Sequence, residues 1–206
     1  MGEKRQARQG ADVLLQEEPL RFQTRKQVGL LGGNFNPVHL AHLVMADQVQ
    51  NQLGLDKVYL MPTYLPPHVD EKKTISSEHR LAMLELAVAD NPCLDIEPIE
   101  LIRKGKSYTY DTMKALKEAN PDTDYYFIIG GDMVEYLPKW HRIDDLLHLV
   151  QFVGIRRPNY PTESTYPIIW VDVPQMAISS TLIRQKVKSG CSIRYLLPEN
   201  VINYIQ

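Results

Sequence analysis

The stretch VGLLGGNFNPVHLAH, residues 28–42, decides how the chain begins to fold. Its first part is a short apolar run ending in Gly32-Gly33, which is typical of a buried parallel strand followed by a tight turn. After Pro37 the apolar side chains recur every three or four residues through 43–53, which is the period of a helix. The segment therefore predicts a strand, a glycine turn and a helix in direct succession.

The rest of the chain repeats this alternation of strand and helix. Apolar runs predict further strands at 58–61, 94–96, 126–129, 152–155 and 168–171. Helical spacing and stop signals predict helices near 81–88, 111–119, 143–149, 180–189 and 198–205. The pattern predicts an α/β fold: an open, doubly wound, mostly parallel, Rossmann-like sheet with helices on both faces.

In such sheets, ligands bind at the carboxyl ends of strands, where the strand order reverses. Two of the predicted strands end in paired glycines, Gly32-Gly33 and Gly130-Gly131. These two strand ends are therefore the first candidate binding sites.

The amino-acid composition and the net charge exclude several classes of protein. Of the 206 residues 44% are hydrophobic, which suits one domain with its own core, and we assign residues 27–206 to that domain. Residues 1–26 are rich in charge and Gln and predict a flexible N-terminal extension. The net charge of −2 offers no basic field for nucleic acid, and no apolar run is long enough to span a membrane. With two isolated cysteines and no secretory signal, the chain is predicted to be cytoplasmic, and homo-oligomer formation is left open.

The turn after the first strand has the features of an anion site. Gly32 and Gly33 let the backbone approach a ligand, and Pro37 could open a helix whose N-terminal N–H groups face an anion. His39 and His42 are three residues apart, so both would project from one face of the first turn and donate hydrogen bonds to a polyphosphate. A metal-binding pair or simple helix capping are the alternatives.

A second candidate anion site lies late in the chain, in Ile178-Ser179-Ser180-Thr181-Leu182-Ile183-Arg184. Ser179 or Ser180 can cap the following helix, whose first N–H groups then face an anion. Arg184 lies one turn into that helix and could hold a phosphate with two donors. Taken alone, the segment is equally a plain helix cap followed by a solvated charge.

Together the two segments resemble the signatures of the nucleotidyltransferase superfamily, which includes the aminoacyl-tRNA synthetases with the HIGH tetrapeptide. His39-Leu40-Ala41-His42 stands at the place of that tetrapeptide, with Ala41 where Gly is usual. The resemblance implies that His39, His42 and Arg184 are catalytic. It also implies an ATP site formed by Gly32, Gly33, Asn34, Phe35, His39, His42, Ile178, Ser179, Ser180, Thr181 and Arg184.

The middle of the chain resembles the bacterial nicotinate mononucleotide adenylyltransferases, at Tyr108–Thr112, Gly130–Met133 and Lys139-Trp140. This resemblance implies an acceptor site formed by Asn34, His68, Thr109, Tyr110, Gly130, Asp132 and Trp140. Thr109 and Tyr110 begin a predicted helix, capped by Thr109 or Asp111, where N–H groups favour a carboxylate. Trp140 could stack on a cationic pyridinium ring, although a half-buried aromatic is the plain alternative.

The expected reaction is adenylyl transfer from ATP to nicotinic acid mononucleotide, giving nicotinic acid adenine dinucleotide and pyrophosphate in NAD biosynthesis. Mg²⁺ would arrive with ATP, held by phosphates and water, so no protein metal ligand is expected. The alternatives are another adenylyltransferase of the pantetheine-phosphate type and a non-catalytic dinucleotide-binding domain. Arg80, near a helix start, is interpreted as a surface or capping charge.

Overall fold

The computed structural model describes residues 25–65, 74–157, 160 and 162–206. Six strands are found, all at the predicted places: β1 Lys26–Gly33, β2 Lys57–Pro62, β3 Leu94–Ile96, β4 Thr123–Gly130, β5 Val150–Ile155 and β6 Ile168–Val171. The helices are α1 Leu40–Leu53, α2 Ser77–Val88, α3 Ile99–Arg103, α4 Thr109–Ala119, α5 Gly131–Val134, α6 Ile143–Leu146, α7 Ser180–Lys188 and α8 Glu199–Ile205. A 3₁₀ helix spans Leu137–Lys139.

The strands form one sheet in the order β3-β2-β1-β4-β5-β6, and every pairing is parallel. The order runs outward from β1 in one direction and from β4 in the other. This is the topology of a doubly wound open sheet, and the predicted fold class is confirmed. The point at which the strand order reverses lies between β1 and β4.

Side chains of the central strands alternate between two cores, one on each face of the sheet. On β4, Ile128 packs into one core, whereas Phe127 and Ile129 pack into the other. Helices α1, α2, α7 and α8 contribute to the first core, and α4 to α6 contribute to the second. Because parallel strands are covered on both faces, near-continuous apolar runs were the correct signal for them.

Three short elements were not predicted: α3, α5 and the 3₁₀ helix. Each has five residues or fewer, so none contains enough turns to show a helical period. The predicted helix at 143–149 is also shorter, since α6 ends at Leu146. The division between a residue 1–26 extension and a residue 27–206 domain stays a prediction, because residues 1–24 lie outside the described part.

Candidate active site

The candidate site lies at the carboxyl ends of β1 and β4, which are hydrogen-bonded neighbours. The two Gly-Gly strand ends that the sequence singled out therefore lie at one edge of the sheet, on either side of the point where the strand order reverses. Ligands bind at this position in open α/β sheets.

The turn after β1 folds back over its own strand. Phe35 has a positive φ of 46°, and its ring lies so close to Gly33 that a Cβ there would lie 2.9 Å from the ring. Glycine is therefore required where the turn crosses the strand. The helix that follows begins later than predicted: Pro37 does not open it, since the N-cap residue is His39 and α1 starts at Leu40.

His39 and His42 lie against each other at the start of α1. Their ring centroids are 3.7 Å apart with an interplanar angle of 20°, and Phe35 meets the His42 ring edge-on at 4.9 Å. The backbone N–H of His39 donates to Nδ1 of His42 over 3.3 Å. Because Nδ1 accepts this bond, the proton of a neutral His42 is on Nε2, which is left as a donor.

Burial keeps both imidazoles neutral at pH 7. Loss of hydration lowers the pKa of His39 to about 4. The pKa of His42 is lowered to about 3, chiefly by burial and further by repulsion from His39. Both side chains therefore meet a ligand as neutral hydrogen-bond donors and not as fixed positive charges.

Helix α7 brings the second motif onto this turn. Its N-cap Ser179 accepts from the Leu182 N–H over 3.2 Å, while Ser180 Oγ donates to the Pro37 carbonyl over 2.8 Å. Arg184 Nη1 donates to the Asn36 carbonyl over 2.7 Å. Segments almost 150 residues apart in sequence are thus joined directly, as the resemblance implied.

Arg184 also reaches along its own helix, where Nη2 donates to Thr181 Oγ1 over 3.1 Å. A guanidinium carries five N–H donors, and two of them are used by these bonds. The remainder are left for a ligand. Neither Arg184 nor Thr181, both predicted for the ATP site, lines either of the two cavities beside the histidine pair, so a phosphate contact would be made at the rim.

Two cavities open beside the histidine pair. The first, about 560 Å³, lies between the start of α1 and the segment before α7. Its walls include these predicted ATP-site residues: His39, His42, Ile178, Ser179 and Ser180. Ala41, which replaces the usual Gly, also lines this cavity.

The second cavity, about 460 Å³, lies over the ends of β1 and β4. Its walls include these residues of the predicted acceptor site: Asn34, Thr109, Gly130 and Trp140. Gly32 and Gly33, predicted for ATP, line this cavity and not the first. Phe35 is buried beneath the turn, where its ring supports His42.

Trp140 is partly buried at the wall of the second cavity. It meets Phe127 and Phe152 edge-on, with centroid distances of 5.9 Å in both cases. Its Nε1 is buried and finds no hydrogen-bond partner in the described part of the chain. The ring is therefore held rigidly by the core while it forms part of the cavity wall.

Two predicted acceptor residues do not line either cavity. Tyr110 is buried in the core, and the Arg142 guanidinium stacks over its ring at 4.1 Å. Asp132 pairs with Arg157, with 3.3 Å between Oδ1 and Nη1. The N-cap position of the helix containing Tyr110 is Tyr108, whose side chain makes no capping hydrogen bond, and not Thr109 or Asp111. His68 lies outside the described residues.

Three residues that the sequence analysis did not identify also line the cavities. Arg157, two residues beyond β5, lines both of them, and His141 and Ser107 line the second. Arg157 could have been found as a basic residue directly after a strand that neighbours β4. Arg80, interpreted from the sequence as a surface charge, is in fact buried, with only 2% of its surface exposed.

Ser107 belongs to a small polar network under the cavity. The Tyr64 N–H donates to Ser107 Oγ over 3.0 Å, and a hydrogen bond from Ser107 helps to hold the buried Glu100 carboxylate. Burial nevertheless raises the pKa of Glu100. The network ties the segment that opens α4 to the loop after β2.

Nowhere in the described part of the chain do three or more His, Cys, Asp or Glu side chains gather as a protein-held metal ion requires. Within residues 25–65, 74–157, 160 and 162–206, none of the helices has the length and apolar character needed to cross a bilayer.

Comparison with known proteins extends these findings. A family model described as cytidylyltransferase-like matches residues 30–186. The chain is 62% identical over 190 residues to a probable nicotinate-nucleotide adenylyltransferase of Streptococcus pneumoniae, covering 92% of this chain and 91% of that protein. It is also 62% identical over 182 residues to a protein of the same name from Lactococcus lactis, covering 88% and 93%.

Among solved structures, the chain resembles the Plasmodium falciparum nicotinic acid mononucleotide adenylyltransferase complexed with NaAD. The TM-score is 0.72 at 19% identity, over 88% of this chain and 95% of that one. This likeness supports the fold.

Proposed function

Because the chain belongs to the cytidylyltransferase-like family and, within it, to the nicotinate-nucleotide adenylyltransferases, we propose that it joins ATP to nicotinic acid mononucleotide. The products are nicotinic acid adenine dinucleotide, a precursor of NAD, and pyrophosphate. ATP and nicotinic acid mononucleotide are accordingly its substrate partners. Its location in the cytoplasm stays a prediction.

One structural observation supports this reaction above all: the two cavities share part of their walls. His42, Met45 and Arg157 line both. Two ligands bound in adjoining cavities can meet at this common wall, which is what direct transfer between two substrates requires. Of the three, His42 and Arg157 can donate hydrogen bonds to a phosphate at this wall.

In the proposed step, a phosphate oxygen of nicotinic acid mononucleotide attacks the α-phosphorus of ATP. A new P–O bond forms there as the bond from that phosphorus to the bridging β-phosphate oxygen breaks, and its electrons leave with pyrophosphate. No protein nucleophile takes part. The contribution of the enzyme is positioning and stabilisation of the charge that develops on the phosphate oxygens.

The first cavity would hold the nucleotide. The start of α7 and the free donors of Arg184 would contact the β- and γ-phosphates, since helix N-termini and guanidinium groups both bind phosphate. His42 Nε2, at the wall that the cavities share, would donate to an oxygen of the α-phosphate. Its hydrogen bond would become stronger as negative charge develops on that oxygen.

The second cavity would hold the acceptor. Trp140, Phe127 and Met133 give it apolar walls that suit a pyridine ring. Thr109, at the first position of α4, also lines it, so the helix N-terminus faces the cavity. Such a helix start would favour the carboxylate of nicotinate over a neutral amide.

Mg²⁺ is proposed to enter with ATP. The described residues around the cavities include no cluster of three protein ligands, and Mg²⁺ is commonly held by substrate phosphates and water. The ion would neutralise phosphate charge while the protein groups orient the reacting atoms.

The function is tested by measuring pyrophosphate release from ATP and Mg²⁺ with a panel of acceptors. Nicotinic acid mononucleotide should be turned over, with nicotinamide mononucleotide and phosphopantetheine as comparisons and chelation of Mg²⁺ as a control. Formation of nicotinic acid adenine dinucleotide in equal amount to pyrophosphate would support direct transfer. Release only with phosphopantetheine would contradict the proposed acceptor.

A further inference from the structure

Arg80 is a buried cation with an unusual set of partners. It lies in the first turn of α2, where Nη1 is 2.9 Å from the Asn34 carbonyl and 3.2 Å from Asn34 Oδ1. The same nitrogen donates to the Thr63 carbonyl over 2.8 Å. All these acceptors are neutral oxygens on the loops that follow β1 and β2.

No carboxylate of the described residues lies within ion-pair distance of Arg80, and its Nε is buried without a partner. Burial lowers the pKa of this guanidinium, yet arginine stays protonated at any physiological pH. Buried charges are costly and are normally paired with an opposite charge. A buried cation that no carboxylate of the described residues offsets suggests that an anion is supplied by a ligand.

The other basic groups near the second cavity offer little uncompensated positive charge. His39 and His42 are neutral, and Arg157 is already paired with Asp132. Arg80, whose partners Asn34 and Thr63 line the acceptor cavity, is a positive charge that no carboxylate of the described residues offsets. Electrostatic attraction acts through the low-dielectric interior without direct contact.

Arg80 also determines how one cavity residue is oriented. Asn34 and Thr63 both line the second cavity. Since Asn34 Oδ1 faces the Arg80 guanidinium, its Nδ2 must face the other way, where it donates to Thr74 Oγ1 over 3.4 Å. An amide nitrogen carries two N–H donors, so one remains beside this bond. An amide donor is thereby held at the edge of the acceptor cavity.

We propose that Arg80 is a positioning residue for the acceptor phosphate: it fixes Asn34 and Thr63 at the cavity wall, presents an Asn34 amide donor to that phosphate, and adds the attraction of a positive charge that no described carboxylate offsets. This inference rests on the proposed function. Its ligand chemistry is that of a ribose phosphate monoester whose base is a pyridinium ring.

A purely structural role makes a different prediction. If Arg80 only joined two loops, its loss would lower the melting temperature and weaken the binding of both substrates alike. The proposal predicts a selective effect, because Arg80 contacts the wall of the second cavity and none of its hydrogen-bond partners lines the first.

The test compares Arg80→Gln and Arg80→Lys with the full-length protein, using calorimetric Kd values for nicotinic acid mononucleotide and for ATP. Arg80→Gln should raise the acceptor Kd about tenfold or more, and tenfold corresponds to 1.4 kcal/mol. The ATP Kd should change by less than about twofold. Arg80→Lys, which keeps the charge but not the fork of donors, should give an intermediate acceptor Kd.

A matched control is Leu84→Val, a core substitution one turn further along α2 that should lower the melting temperature without touching Asn34. Its acceptor Kd should remain that of the original protein. In an Asn34→Ala background, Arg80→Gln should weaken acceptor binding by only about threefold, because the amide that it orients is gone.

Equal weakening of ATP and acceptor by Arg80→Gln, an unchanged acceptor Kd, or an undiminished effect in the Asn34→Ala background would overturn the positioning role. Failure of the proposed function would look different. The original protein would then release no pyrophosphate with nicotinic acid mononucleotide, whatever residue stands at position 80.

Discussion

Protonation of the histidine pair should make the protein less stable as the pH falls from 7.5 to 5. In the folded state the pKa of His39 is about 4 and that of His42 about 3, against 6.5 for an unperturbed histidine. Below pH 6.5 the unfolded chain therefore binds protons that the folded chain does not. Stability is lost as the pH falls through this range, and the loss levels off only below the folded-state pKa values.

The pKa shifts give the size of the effect. Proton linkage predicts that each histidine lowers the free energy of unfolding by about 2 kcal/mol between pH 7.5 and pH 5. The pair together would cost about 4 kcal/mol at most. For a domain of this size, that corresponds to a fall of roughly 10 °C in melting temperature.

The test is a series of thermal unfolding curves across this pH range for the original protein and the double variant His39→Asn/His42→Asn. Asparagine is a favoured N-cap, so it suits the position of His39, and its Oδ1 at position 42 can still accept the bond that Nδ1 now accepts. His148→Asn is the control, because His148 is exposed and water solvates its ring in both states.

The double variant should lose less than half as much melting temperature between pH 7.5 and pH 5 as the original protein does. The half-buried Glu97 and the buried Glu100 have raised pKa values and so act in the opposite direction, but they are common to all the variants. If the original protein shows no fall, or the double variant falls as steeply, the histidines are not held neutral by burial.

Substitutions at four residues test the site further. His42→Asn keeps the helix cap but lacks the Nε2 donor, so kcat should fall about 100-fold while the melting temperature hardly changes. His42→Gln should retain more activity, and a normal kcat in His42→Asn would remove this residue from the catalytic set. Trp140→Ala should weaken acceptor binding about 2- to 30-fold and ATP binding hardly at all. Because the ring also packs on core phenylalanines, a loss of stability alone would weaken the binding of both substrates, so the ratio of the two Kd values distinguishes this from lost stacking. Ala41→Leu should raise the ATP Kd about tenfold because Ala41 lines only the first cavity, and an unchanged ATP Kd would place the nucleotide elsewhere. Arg157→Met should raise both Kd values, since Arg157 lines both cavities, and an effect on one alone would contradict the shared wall.

Much of the candidate site could be predicted from local sequence because its parts are local. The glycine turn, the histidines at positions 39 and 42 and the cap of α7 each depend on residues within a few positions of one another. Arg80 was misjudged for the opposite reason. Its partners, Asn34 and Thr63, are 46 and 17 residues away, and nothing in its own neighbourhood marks it as buried.

By itself the sequence determined the six strands, the main helices and the two motifs, since hydrophobic period, glycine and proline act over single turns of chain. It also indicated the family through residues that stand close together in each motif. Tertiary structure alone decided the order of the strands, which places the end of β1 beside that of β4. It alone also decided that the two histidines are neutral, that Arg80 is buried, and that two cavities share one wall. Desolvation and cavity shape depend on neighbours that are remote in sequence, so local sequence patterns cannot predict them.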